Sequence, residues 1–100
     1  MTLDELTFEI LDRLVGTSFF ADAAGHRVEL RIVQVRKVME SQAARLKRTP
    51  FSIYLLGPSS YPLQQLMYPM SHETFDEPLP IFIVPVGQVN EGYLYEAVFT

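Results

Sequence analysis

Apolar residues first recur at helical spacing. Leu3, Leu6, Ile10, Leu11 and Leu14 form one stripe. Thr2-Leu3-Asp4-Glu5 reads as a capping box, and its two acids suit the positive end of a helix dipole. Gly16 is the stop. The pattern predicts one short helix over about residues 3–14. A helix of about three turns does not hold alone, so the stripe docks on the rest of the chain.

After Gly16 the period becomes two. Thr17 to Asp22 and Arg27 to Met39 read as strands, joined by the turn Ala23-Ala24-Gly25-His26. The second strand changes phase midway. Val28, Leu30 and Ile32 share a face, after which Val33 and Val35 become the apolar members. Such a change needs a bulge, or a strand that passes between packing surfaces. Glu40 to Thr49 is polar and does not alternate.

Phe51 to Leu56 is the next strand, opened by Pro50 and ended by Gly57-Pro58-Ser59-Ser60. Pro62 and Pro69 exclude a long helix or a central strand, leaving a turn and then an edge strand over about Leu66 to Ser71. Ile81 to Val86 is apolar on both faces, which predicts burial on both sides. Tyr93 to Phe99 is the last strand, with Tyr93, Tyr95, Ala97 and Phe99 on one face. Helices do not alternate with strands, so a parallel α/β sheet is excluded. The expected fold is all-β: a small antiparallel barrel or sandwich of about six strands with one short N-terminal helix. A single domain over residues 1–100 holds both the helix and a β region over about 17–99.

Composition narrows the functional classes. Apolar residues are 48% and charged residues 20%, against disorder. There is no apolar run near about 18 residues, hence no spanning helix is expected. No basic-then-apolar N-terminal pattern suggests secretion, so the expected location is the cytoplasm or an assembled particle. With no cysteine there is neither a disulfide nor a thiolate site. The net charge of −4 makes nucleic acid an unlikely partner. Charge is nevertheless segregated. Residues 36–48 hold five basic residues against one acidic, a net of +4 that leaves −8 elsewhere. Arg36, Lys37, Arg45, Lys47 and Arg48 thus read as a solvated edge or as a patch for an acidic protein partner.

Candidates for catalysis are sparse. There is no phosphate loop and no nucleophile elbow. Glu91 and Glu96 read as solvated carboxylates at a strand end, and His26 as a turn residue. His72 reads as a hydrogen-bonding residue at a strand end. The alternative is a metal or small-ligand site with Glu73 and Asp76. No cofactor and no catalytic residue is expected. Tyr61, Met67, Tyr68, Met70 and His72 lie in the least regular segment, rich in adaptable apolar groups. They read either as a loop packed over the barrel end or as a contact surface for another protein.

Several motifs occur in order: Leu14-Val15-Gly16-x-x-Phe19, Pro50-Phe51-Ser52 with Gly57-Pro58, Gln65-x-x-Tyr68-x-x-x-His72, Phe82-Ile83-Val84-Pro85-Val86-Gly87 and Tyr95-Glu96-Ala97-Val98-Phe99. Together they resemble a bacterial family of roughly this length that is known only as a domain of unknown function. Leu66 stands where that family usually has glycine, and Pro69 and the loop Glu73 to Pro80 also differ. The resemblance implies an all-β fold and no established activity. It also implies an association with phage tail-collar-like or fibre-like proteins, beside which such domains are often encoded. The expected function is a non-enzymatic protein-binding or assembly accessory module. A self-assembling homo-oligomeric subunit is the alternative, since several strands are apolar on both faces.

Overall fold

The computed structural model of the protein describes residues 2–38 and 49–100. A 3-10 turn, Leu3–Glu5, precedes the helix α1, Phe8–Asp12. The strands are β1 (Ser18–Ala23), β2 (His26–Lys37), β3 (Phe51–Pro58), β4 (Leu66–Ser71), β5 (Leu79–Val89) and β6 (Gly92–Phe99). These six strands close into an antiparallel barrel in the order β1-β2-β3-β6-β5-β4. The fold is thus a barrel and not a sandwich, and among consecutive strands β3 and β4 alone are not neighbours.

The continuous helix expected over residues 3–14 is broken. Thr7 is extended, and its side chain accepts from the Ile10 amide at 3.2 Å, so it starts a new helix in the middle of the stripe. A capping threonine has outcompeted helix continuation. The Glu5 carboxylate does reach back to the Thr2 amide at 2.7 Å, as the capping box requires. Both pieces still dock: Leu6 and Leu11 are fully buried.

The first hairpin turns through Ala24 and Gly25, at φ +53° and +87°. Two positive φ values define the tight turn whose twist matches the flanking strands. The Asp22 carboxylate accepts from the Gly25 amide at 3.0 Å. Alanine is strained in this conformation, whereas asparagine tolerates it. Ala24→Asn is therefore expected to stabilise the protein by about 0.5–1 kcal/mol, seen as a higher urea midpoint with an unchanged slope.

The phase change in β2 is a bulge. Ile32 pairs with Leu55 and Gln34 with Tyr54, so Val33 is the extra residue. A second irregularity in β5 makes Val86 extra between Pro85↔Tyr95 and Gly87↔Leu94. Bulges supply the local bend that a small barrel needs in order to close.

The interior is filled by Phe19, Leu30, Ile32, Phe51, Ile53, Leu55, Met70, Ile81, Ile83 and Tyr95. Phe51 and Phe99 stack at 4.9 Å between ring centres. At the far end, Leu63 from the β3–β4 connection is buried, and its amide donates to the Tyr95 hydroxyl at 2.8 Å.

Two expectations about exposure are corrected. Strand β4 is not a free edge: it pairs with β5 along Leu66–Met70 and with β1 at Met70 and Ser71. Its Pro69 lies opposite Pro80 of β5, and both are exposed, so neither proline breaks the core of the sheet. Strand β5 is not buried on both sides. Ile81 and Ile83 point into the core, while Phe82 is 46% exposed. The barrel needs one apolar face of β5 and leaves the other uncovered.

Candidate functional site: the outer face of β4, β5 and β6

Side chains alternate across a strand, so the register decides which of them share a surface. Met67 lies directly opposite Phe82, and Pro69 opposite Pro80. On β6 the outward position is Val98. Met67 is 59% exposed and Val98 57%. Strand β5 pairs with β6 from Val84 to Val89. Ahead of Val84 the register ends, and Leu3, Asp4, Met67, Pro80, Phe82 and Val98 line a shared groove of about 250 Å³. The outer faces of three strands thus form one apolar surface.

The opposite wall has the more usual polar exterior of an antiparallel sheet. Asp22, Arg27, Glu29 and Arg31 are exposed on β1 and β2. Ser18 donates to the Glu29 carboxylate at 2.8 Å, and the Arg27 guanidinium lies 4.1 Å from the centre of the Phe20 ring. The barrel therefore has a charged wall and an apolar wall.

The segment singled out in the sequence is divided by the alternation of β4. Met67 belongs to the apolar wall. Tyr68, Met70 and His72 point inward and are buried. The Tyr68 hydroxyl donates to the Gln64 carbonyl at 3.0 Å. Tyr61 is half-buried at the far end, its ring 5.2 Å from that of His26. A single exposed surface from Tyr61 to His72 is consequently not formed, because Tyr68 and Met70 are needed in the core. Phe82, Val98, Pro80 and Leu3 take its place around Met67. Their signal in the sequence was the run Ile81 to Val86, apolar on both faces.

Of the basic residues, Arg36 and Lys37 are exposed at the end of β2. The Lys37 ammonium sits 4.9 Å from the centre of the Phe8 ring. Arg45, Lys47 and Arg48 lie outside the described residues.

His72 is a latch on the barrel seam. Strands β1 and β4 share only the pairs Phe20↔Ser71 and Ala21↔Met70. Just beyond them, Thr17 Oγ1 lies 2.7 Å from His72 Nε2. The Thr17 hydroxyl donates its proton to the Leu14 carbonyl at 2.6 Å. Its oxygen must therefore accept from Nε2–H. Nδ1 in turn accepts from the Thr74 amide at 3.0 Å. Phe19 and Phe75 flank the ring at 5.1 and 5.4 Å. Both nitrogens are engaged within the fold, which fixes the neutral tautomer and leaves no lone pair for a metal. Among the described residues no three His, Cys, Asp or Glu come together as a metal site.

Burial lowers the His72 pKa below its ordinary 6.5, and the Glu73 carboxylate opposes that shift. A proton added at Nδ1 would also face the Thr74 amide, donor against donor. The unfolded chain binds this proton more readily than the native one. The stabilisation is complete above about pH 6.5 and is lost as pH falls toward the depressed native value. Urea denaturation at about pH 7.5 and about pH 5.5 tests this. The stability advantage of wild type over His72→Gln is expected to shrink at the lower pH, and a constant advantage would contradict the latch.

Among the described residues no helix is long and apolar enough to cross a membrane. Comparison with curated proteins and with solved structures yields no match. A protein family does match, over residues 6–99, and its description is "Domain of unknown function (DUF6916)". That span runs from the first fully buried leucine to the end of β6 and so takes in the whole barrel. The chain belongs to the DUF6916 family.

Proposed function

We propose that the chain is a non-enzymatic protein-docking module, an assembly accessory whose contact is the outer face of β4, β5 and β6. The observation that carries this reading is the solvent exposure of Met67, Phe82 and Val98 on one surface of a barrel whose interior is already packed. Large apolar side chains exposed together on one face are a feature of interaction sites. The non-enzymatic part rests on His72, the strongest titratable candidate, which has both ring nitrogens committed to Thr17 and Thr74. Fibre-like and collar-like particle proteins are the first partner class to test, because the family resemblance suggests them.

The experiment compares wild type with Met67→Ser/Phe82→Ser. Both positions are exposed, so the variant is expected to keep the wild-type fold, as checked by circular dichroism. Tagged proteins are incubated with native-host lysate, and bound proteins are quantified by mass spectrometry. A stoichiometric partner held by wild type and reduced at least about tenfold by the variant is the expected result. Equal recovery by both proteins would overturn the assignment of this face. Recovery of the chain alone, with a solution mass above the monomer that falls in the variant, would replace the docking reading with self-assembly.

A further inference from the structure

The docking face has a polarity, and from it we infer that the occupant is a cationic, apolar polypeptide segment. This inference rests on the docking reading and adds the partner's chemistry. The groove lined by Met67, Phe82 and Val98 runs past Leu3, Asp4 and Pro80. A second groove continues from the same three residues to Glu77 and Pro78. One end of the joint surface is therefore apolar, while the other carries the carboxylates of Asp4 and Glu77. Both acids are exposed. Among the described residues that line the two grooves there is no lysine, arginine or histidine.

Those carboxylates select against some occupants and for others. A wholly apolar segment would cover them without compensation, and desolvating an unpaired carboxylate is costly. An acidic segment would be repelled. A second copy docked face to face brings no cation from the described residues of the two grooves, which include none. A segment with apolar side chains followed by Lys or Arg fits both ends. Its apolar groups cover Met67, Phe82 and Val98, while its cations reach Asp4 and Glu77. The opposed prolines Pro69 and Pro80 have no amide hydrogen to offer, so recognition here runs through side chains rather than by addition of a strand.

The test uses two short fluorescent peptides of alternating Leu and Thr. One ends in a run of Lys, the control in a run of Glu. Fluorescence anisotropy is read with wild type, Asp4→Asn/Glu77→Gln and Phe82→Ser. Wild type is expected to prefer the Lys peptide by about tenfold at low salt. That preference should disappear in Asp4→Asn/Glu77→Gln and weaken as salt is raised. Phe82→Ser is expected to lower the affinity for both peptides. Equal affinities in wild type, or no binding of either peptide, would overturn the cationic occupant. In the case of equal affinities, a loss in Phe82→Ser leaves the docking face standing. Undiminished binding of both peptides by Phe82→Ser would count against the face itself.

Discussion

Gly92→Ala is expected to cost about 3–5 kcal/mol, a large share of the roughly 5–15 kcal/mol that stabilises a domain. Two separate penalties meet at this position. Gly92 has φ +154°, a region that residues with a side chain rarely adopt. A Cβ there would also stand 1.9 Å from the Gly57 carbonyl oxygen. That atom is backbone, held in the β3–β6 ladder by the pairs Gly57↔Tyr93 and Pro58↔Gly92. It cannot move without disturbing the ladder. Gly57→Ala makes the useful contrast. Its Cβ would meet Leu30 Cδ2 at 2.8 Å and Tyr95 Cε2 at 3.1 Å. The Leu30 contact is the far end of a side chain, so some relief is available and the cost falls to about 1–3 kcal/mol. Urea denaturation of the two variants measures both. A Gly92→Ala loss no larger than that of Gly57→Ala would contradict the backbone argument.

Tyr95→Phe is expected to cost about 1–3 kcal/mol although it removes one atom. Tyr95 is 1% exposed, and burial raises the pKa of its phenol. The hydroxyl accepts from the Leu63 amide, and Leu63 is itself buried at the barrel end. Phenylalanine would fill the same space and leave that amide without its acceptor. The penalty comes chiefly from the stranded N–H rather than from lost packing. Hydrogen exchange provides a local readout: the Leu63 amide should exchange faster in the variant while amides in β3 keep their protection. A cost below about 0.5 kcal/mol with unchanged Leu63 exchange would contradict this role.

Much of the fold was legible because each signal had little local competition. Val28, Leu30 and Ile32, followed by Val33 and Val35, required a change of phase, and the bulge at Val33 is its form in the structure. Ala24-Gly25 sits between two alternating runs, and the hairpin turns there. The helix was less legible because Thr7 lies on an amphipathic stripe yet prefers to cap, and capping won. Closure of the barrel was not legible either. Which strand β1 meets on its second side depends on twist and bulges across the whole sheet, and no residue of β1 encodes it.

The candidate site was only half legible, for a single physical reason. In β4 both alternating sets are apolar: Leu66, Tyr68 and Met70 against Met67 and Pro69. Hydrophobic periodicity cannot say which set faces the core when neither is polar. The segment could therefore be singled out, but Tyr68, Met70 and His72 could not be separated from Met67. The same ambiguity in Ile81 to Val86 predicted burial on both sides. The structure covers one side and exposes Phe82 and Val86 on the other. Surplus apolarity was the signal of the exposed face proposed for docking, and assigning it to the exterior required the closed barrel.

On the docking proposal, the apolar wall of the barrel, and not its charged wall, meets the partner. NMR spectra of labelled protein, recorded with and without the captured partner, test it most directly. The methyl and aromatic signals of Met67, Phe82 and Val98 should shift or broaden on binding. Signals from Phe20, Arg27 and Glu29 on β1 and β2 should stay in place. Changes confined to β1 and β2, with Met67, Phe82 and Val98 unmoved, would contradict the claim.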